Sequence, residues 1–208
     1  MNQTAICNLA LLRIGISQPI SDIAENSVAA RACNAVWDQC IRTMVRERPW
    51  PFATRQVDLA LVGEQLFQEW LYTYRYPTDY VNIHRVRPIS TVTSTTLISA
   101  FQTQALLQTY PYAIGSDDDG KLIHTNVEDA VCVGTVFVED TGQFDPLFTS
   151  ALAWFLAAEI ALSLTKSRDI YANAFGMYQQ VSSEAFATSV NEPKPDVSPD
   201  ADMIEARA

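Results

Sequence analysis

Glycine, histidine and cysteine are scarce in this chain: seven, two and four among 208 residues. Seven glycines leave little room for Gly-rich loops that cradle phosphate, and neither a phosphate loop nor a Gly-x-Ser-x-Gly turn occurs. His84 and His124 both fall in segments that read as strands, with no Cys or Asp partner at short spacing. No metal-ligand pattern results, and no metal or cofactor is expected. A Cys–His pair that meets only in space stays open. Four cysteines are too few and too unevenly placed for a disulfide scaffold. Cys33 and Cys40, seven apart on one helix, lie about 10 Å apart by the helical rise, beyond disulfide reach. With Cys7 and Cys132 they read as reduced, mostly buried thiols of a protein made in a cytosol. Bilayer-length apolar runs are lacking too. The most apolar stretch, residues 151–164, falls short of the roughly 20 residues of a span, and Glu159 interrupts it. It reads as a buried helix. The N-terminus has neither the basic region nor the cleavage site of a signal peptide.

What is present is apolar material and negative charge. Hydrophobic residues make up 48%, enough for a core and against a wholly disordered chain. The net charge of −10 argues against a surface that grips DNA all over. That charge is unevenly spread. Residues 1–87 hold 9 basic and 8 acidic side chains, and residues 88–208 hold 5 basic and 16 acidic. The expectation is a chain that presents acid from its later part, while its Arg-bearing second helix meets an acidic neighbour.

Hydrophobic periodicity divides the chain into four parts. Residues 1–52 carry two helices, 4–14 closed by Gly15 and 27–47, on which Val28, Ala32, Val36, Cys40 and Met44 recur at i+4 and Cys33, Trp37 and Ile41 widen the stripe. Pro49 and Pro51 end the second helix. Residues 53–142 change to period two. Val57, Leu59 and Leu61 alternate, as do Trp70, Tyr72, Tyr74 and Tyr76, and residues 80–86 and 130–138 continue in strand composition. Residues 91–96 read as a loop or an edge strand. An EF-hand count placed on Asp117–Gly120 puts Gly115 first and Asn126 twelfth, so the run reads as a tight hairpin turn rather than a calcium loop.

Residues 143–190 return to helix. Asp145 caps and Pro146 occupies the first turn of the third helix. Ser167 caps a fourth, with Tyr171, Ala174, Tyr178, Val181 and Ala185 on one stripe. Residues 191–208 are rich in proline and acid, with no apolar periodicity, and read as an extended, flexible tail. The expected class is α+β: a helical bundle formed by the N- and C-terminal helices, an inserted β-rich domain and an extended C-terminal tail.

Candidate interaction residues follow from the oddities. Arg42, Arg46 and Arg48 make a basic end to the second helix, readable either as dipole complementarity or as contact with an acidic partner. Trp50 and Phe52 sit on a proline-stiffened connection, either as a plug beneath the helix-to-sheet junction or as an intersubunit anchor. Glu159, alone on an apolar helix, should pair, stay protonated or face an interface. Pro193, Pro195 and Pro199 mark the tail as a docking segment.

Four ordered pieces resemble the tail tubular protein A family, the head-to-tail adaptors of short-tailed bacteriophages. They are Ala10-Leu11-Leu12-Arg13-Ile14-Gly15; Ala30-Arg31-Ala32-Cys33-Asn34-Ala35-Val36-Trp37-Asp38 leading to Arg48-Pro49-Trp50-Pro51-Phe52-Ala53; Tyr74-Arg75-Tyr76-Pro77-Thr78-Asp79-Tyr80; and Phe144-Asp145-Pro146-Leu147-Phe148 leading to Leu156-Ala157-Ala158-Glu159-Ile160-Ala161. The resemblance covers most of residues 5–190 and leaves the tail unmatched. It implies a non-enzymatic virion protein at the head–tail junction, made in the host cytoplasm. Such a protein forms a ring, commonly twelvefold, under the portal protein. The ring extends the DNA channel without binding DNA specifically, and it docks the next tail component. The alternative is a tail-associated cell-wall glycan hydrolase, with Glu128, Asp129, Glu139 and Asp140 as candidate carboxylates, two of which would have to sit about 5–10 Å apart.

Overall fold

The computed structural model of the protein describes residues 1–67, 69–89 and 110–191. Helix α1 (Gln3–Arg13) starts on Asn2, whose side chain accepts from the Ala5 N–H at 2.9 Å, and it stops before Gly15, which takes φ +86°. Only glycine adopts that left-handed conformation at little cost. Helix α2 (Val28–Glu47) is capped by Ser27. Its buried line runs through Ala30, Cys33, Trp37, Cys40, Ile41, Met44 and Val45. The expected stripe is thus displaced toward Cys33, Trp37 and Ile41, and Val28 at its margin is 65% exposed.

Helix α3 (Pro146–Thr165) begins on Asp145, whose carboxylate accepts from Leu147 N at 2.7 Å and Phe148 N at 3.3 Å. Its 20 residues exceed the 14-residue apolar stretch read from sequence and are long and apolar enough to cross a bilayer. Here they are the central packing element. Helices α1, α2 and α4 (Arg168–Asn191) all pack on α3, and eleven of its residues are buried. A helix covered on most sides needs apolar residues on most sides, so it shows no single stripe. Alanines 151, 153, 157, 158 and 161 of α3 share one core with Ala174 and Ala185 of α4. Small residues let the two backbones approach closely. The expected α4 stripe holds at Ala174, Tyr178 and Ala185 and fails at Tyr171, which is 39% exposed and stacks on Phe175 at 6.0 Å. Arg13 closes the far end of α1 onto α3, donating to the Ser150 carbonyl at 2.7 Å and lying 4.3 Å over the Trp154 ring.

Between α2 and α3 lie two antiparallel sheets. One has the order β1-β7-β4, with β1 Thr54–Asp58, β4 Tyr80–Pro88 and β7 Ala130–Val136. The other has the order β2-β3-β6-β5, with β2 Leu61–Phe67, β3 Trp70–Arg75, β5 Tyr112–Asp117 and β6 Gly120–Thr125. The alternation of Val57, Leu59 and Leu61 reads as one strand, yet the chain breaks at Leu59 and crosses from one sheet to the other. Of the three, Leu59 is buried and the other two are exposed. A second core joins Leu59, Tyr74, Tyr76, Ile83, Val86, Ile123 and Cys132, rimmed by Tyr72, Tyr80, Tyr110 and Tyr112.

Asp117 to Gly120 forms the β5–β6 hairpin turn, with the Asp117 carboxylate accepting from Asp119 N at 3.0 Å and Gly120 at φ +132°. Arg75 on β3 pairs with Asp117 at 2.7 Å. The readings of residues 91–96 as a loop or edge strand and of 192–208 as a flexible tail fall outside the described residues.

Trp50 sits in the helical core where α2 gives way to the first strand. Its indole N–H donates to the Met44 carbonyl at 3.0 Å, and its ring lies 5.0 Å from Phe148 and 5.9 Å from Phe186, both edge-on. Phe52 bridges to Phe148 at 4.8 Å and Phe144 at 5.6 Å. Trp50→Ala removes a fully buried ring from this junction and is expected to cost about 3–5 kcal/mol. Phe52→Ala, at a half-buried position, is expected to cost less. Urea midpoints of the two variants check the order, and a Trp50→Ala loss below that of Phe52→Ala contradicts it.

Candidate interaction site

The last turns of α2 lie over the ends of β4 and β7. Arg42 and Arg46 are four apart, so both project from one face toward the sheet. The Arg42 guanidinium rests 4.0 Å over the Phe137 ring, and Arg46 donates to the Val81 carbonyl at 2.8 Å. With Lys121, which lies 5.3 Å over the Tyr76 ring, they line an open cleft of about 540 Å³. Thr43, Thr78, Gln39 and Tyr80 contribute polar walls, and Asp79 and Glu139 contribute the opposite charge. Among the described residues the ion pairs within 4 Å join Arg75 to Asp117 and Asp119. Arg42, Arg46 and Lys121 are therefore held by a ring, a carbonyl and a second ring, and no described carboxylate neutralises them within that distance.

Arg48 parts from the other two. It is the C-cap of α2, in extended conformation, and it turns the other way. It donates to Ser183 Oγ at 3.2 Å and lies 5.1 Å over Phe186, both on α4. Next to it Glu47 accepts a hydrogen bond from the Tyr178 hydroxyl at 2.6 Å, and burial together with this carboxylate raises the Tyr178 pKa. The basic end of the second helix is thus two features on opposite faces. A charge count along the sequence merges them, because helical phase ends at Glu47 and the side chain after it obeys the turn.

The other sequence candidates separate as well. Trp50 is 1% exposed, so it is the plug and presents no surface to a partner. Phe52 is half-buried in the same ring cluster. Glu159 is exposed, not buried, because it opens a narrow uncovered strip of α3 that continues to Leu162 and Ser163. Its cost of burial does not arise. Pro193, Pro195 and Pro199 lie outside the described residues.

The four hydrolase carboxylates fall into two groups at opposite ends of β7. Glu128 and Asp129 precede β7 and Glu139 and Asp140 follow it. Seven strand residues rise roughly 20 Å, twice the separation that two-carboxylate chemistry uses. Glu139 belongs to the basic cleft, and Asp140 caps a short turn by accepting from Gly142 N at 2.8 Å.

The cysteines are all free and buried. The sequence does not bring out the influence between helices: the thiols of Cys7 on α1 and Cys33 on α2 shift each other, Cys33 and burial raising the Cys7 pKa. Seven-residue spacing draws attention to Cys33 and Cys40, while this pair is 26 positions apart. Burial pushes the Cys40 and Cys132 thiols up to about 12. A thiol held protonated at neutral pH is a poor nucleophile. Among the described residues no group of three or more His, Cys, Asp or Glu is placed to hold a metal ion. In comparison with known proteins, no family model matches the chain and no curated protein matches it.

Both histidines sit in strands against threonine hydroxyls, His124 with Thr73 at 3.0 Å and His84 with Thr135 at 2.5 Å. Burial lowers both pKa values below the ordinary 6.5, and the Arg85 charge lowers His84 further. The unfolded chain binds protons below about pH 6.5 that the folded chain refuses. Stability is therefore full above that pH and falls as pH drops from it toward the folded values. Urea midpoints measured from pH 7.5 down to pH 5 are expected to decline, with imidazole NMR titrations centred below 6.5. A flat midpoint over that window contradicts the buried neutral state.

Proposed function

We propose that the protein is a structural head-to-tail adaptor of a bacteriophage virion. It assembles as a ring, with twelve copies the expected number, between the portal and the next tail protein. It extends the channel through which DNA passes, and it performs no chemistry. The reading began in four sequence pieces, and one observation supports treating them as a unit. Pieces about a hundred residues apart pack together: Trp50 and Phe52 from the second meet Phe144 and Phe148 from the fourth at 4.8 to 5.6 Å. The third piece is tied to the exit of β7, where the Asp79 carbonyl accepts from Phe137 N at 3.2 Å. The first ends α1 at Gly15. Two of the four pieces thus share one junction, and residues constrained together in this way favour a resemblance of structure over a coincidence of short words.

Charge agrees with this reading. Rapid DNA transit favours walls without cations, since each phosphate that Lys or Arg neutralises adds salt-dependent affinity. The chain's acidic excess lies after residue 87. Isolated copies need not form the ring, because a partner that binds only the assembled state supplies the stabilisation.

The test is to mix the full chain with the candidate portal ring and image the product by electron microscopy, with light scattering on the same sample. A second ring coaxial with the portal is the expected product. A chain that stays unbound at every ratio overturns the proposal, as does strong retention of duplex DNA by the isolated protein at physiological salt.

A further inference from the structure

We infer that the basic cleft between α2 and the sheets is the docking site for the chain's own acidic C-terminal segment, residues 192–208. Three observations carry this. The first is the cleft's charge. Arg42, Arg46 and Lys121 converge on one open concavity, oriented by Phe137, Val81 and Tyr76, with no described carboxylate within 4 Å. A guanidinium that spends one N–H on a carbonyl, or its face on a ring, keeps further donors for an anion. The second is the chemistry of the segment. It holds Glu192, Asp196, Asp200, Asp202 and Glu205 against Lys194 and Arg207. Its three prolines reduce the conformational freedom lost when it docks. The cleft's two acids, Asp79 and Glu139, oppose a purely acidic ligand and suit a segment that carries a lysine among its acids.

The third observation is reach. Helix α4 returns to the α2 C-terminus, where Ser183 and Phe186 contact Arg48 and Phe186 contacts Trp50. The helix ends five residues later, at Asn191. Arg42 lies only about 9 Å back along α2 from Arg48, by the helical rise. Seventeen residues span at most roughly 55–60 Å, so the segment is long enough to pass round α2 to the cleft on its other face. Intramolecular tethering also raises its effective concentration above that of any free acidic peptide. The inference rests on charges within this chain and holds whether or not a portal is the partner.

Zero-length carbodiimide coupling of the full chain tests it. The reagent activates a carboxylate, Lys121 Nζ attacks, an amide forms, and the carbodiimide leaves as its urea. Mass spectrometry of the digest is expected to find Lys121 joined to Asp196, Asp200 or Asp202. Arg42→Ala/Arg46→Ala, at two exposed helix positions, should cut that yield about three- to tenfold, the range for losing two exposed ion pairs. Salt at about 1 M, where the Debye length is about 3 Å, should do the same. Coupling an equimolar mixture of ¹⁵N-labelled and unlabelled protein should give linked peptides of a single isotope. Mixed-isotope peptides would assign the cleft to a neighbouring copy's segment and overturn the assignment to the chain's own. Absence of Lys121 linkages, or a yield indifferent to the arginine pair and to salt, overturns the docking site itself. A tail-side variant guards against a misfolded helix. Asp196→Asn/Asp200→Asn/Asp202→Asn leaves the core untouched and should shift the Nε–H NMR signals of Arg42 and Arg46, and unmoved signals count against the proposal.

Discussion

The helical core closes around Trp50. Its indole fills the point where α2 ends, the first strand begins, α3 starts and α4 returns, and its N–H satisfies the Met44 carbonyl at the frayed end of α2. Helix C-termini leave carbonyls without intrahelical partners, and a buried one without a donor is costly. One side chain thus meets a polar requirement of the helix and an apolar requirement of the core together. Pro49 and Pro51 on either side prevent the helix from continuing and fix where the ring falls.

The sequence conveyed element order and caps well, because these depend on residues close together in the chain. Asp145 and Ser167 each cap the helix expected of them. The Asp117–Gly120 turn and the alternation in β3 were legible for the same reason. What escaped depends on which face meets which neighbour. The stripe of α2 is displaced because α1 and α3 cover the side of Cys33, Trp37 and Ile41, and nothing in α2 itself says so. The change of sheet at Leu59 is invisible because alternation carries on through it while the partner strand changes from β7 to β3. Glu159 looked costly because a hydrophobic run implies burial on every side, whereas packing left one strip open.

The cleft was half legible. Arg42 and Arg46 stood out, but Lys121, Asp79 and Glu139 come from three separate parts of the chain and join them only through the antiparallel return of β6 and the exit from β7. Cation–ring contacts carry no sequence signature. They matter here because they orient Arg42 and Lys121 without neutralising them. A carboxylate in place of Phe137 would have closed the same site.

The position of the cleft follows from how the β insertion is attached. The chain enters the β body after Phe52 and leaves it before Phe144, and those two rings are 5.6 Å apart. An insertion whose ends meet leaves α2 and α3 free to pack on each other, and residues at its edge, Val81, Val136 and Phe137, pack against the helical core. The insertion also brings the sheet ends up against the C-terminal turns of α2. That end of a helix carries the negative pole of its dipole, which favours cations there. Arginines in those turns are therefore stabilised where they are needed to face the sheet, and the basic lining of the cleft is a consequence of joining a helix C-terminus to an inserted β body. An anionic segment that enters this concavity meets charge already held in place, so binding it requires little further ordering of the protein side.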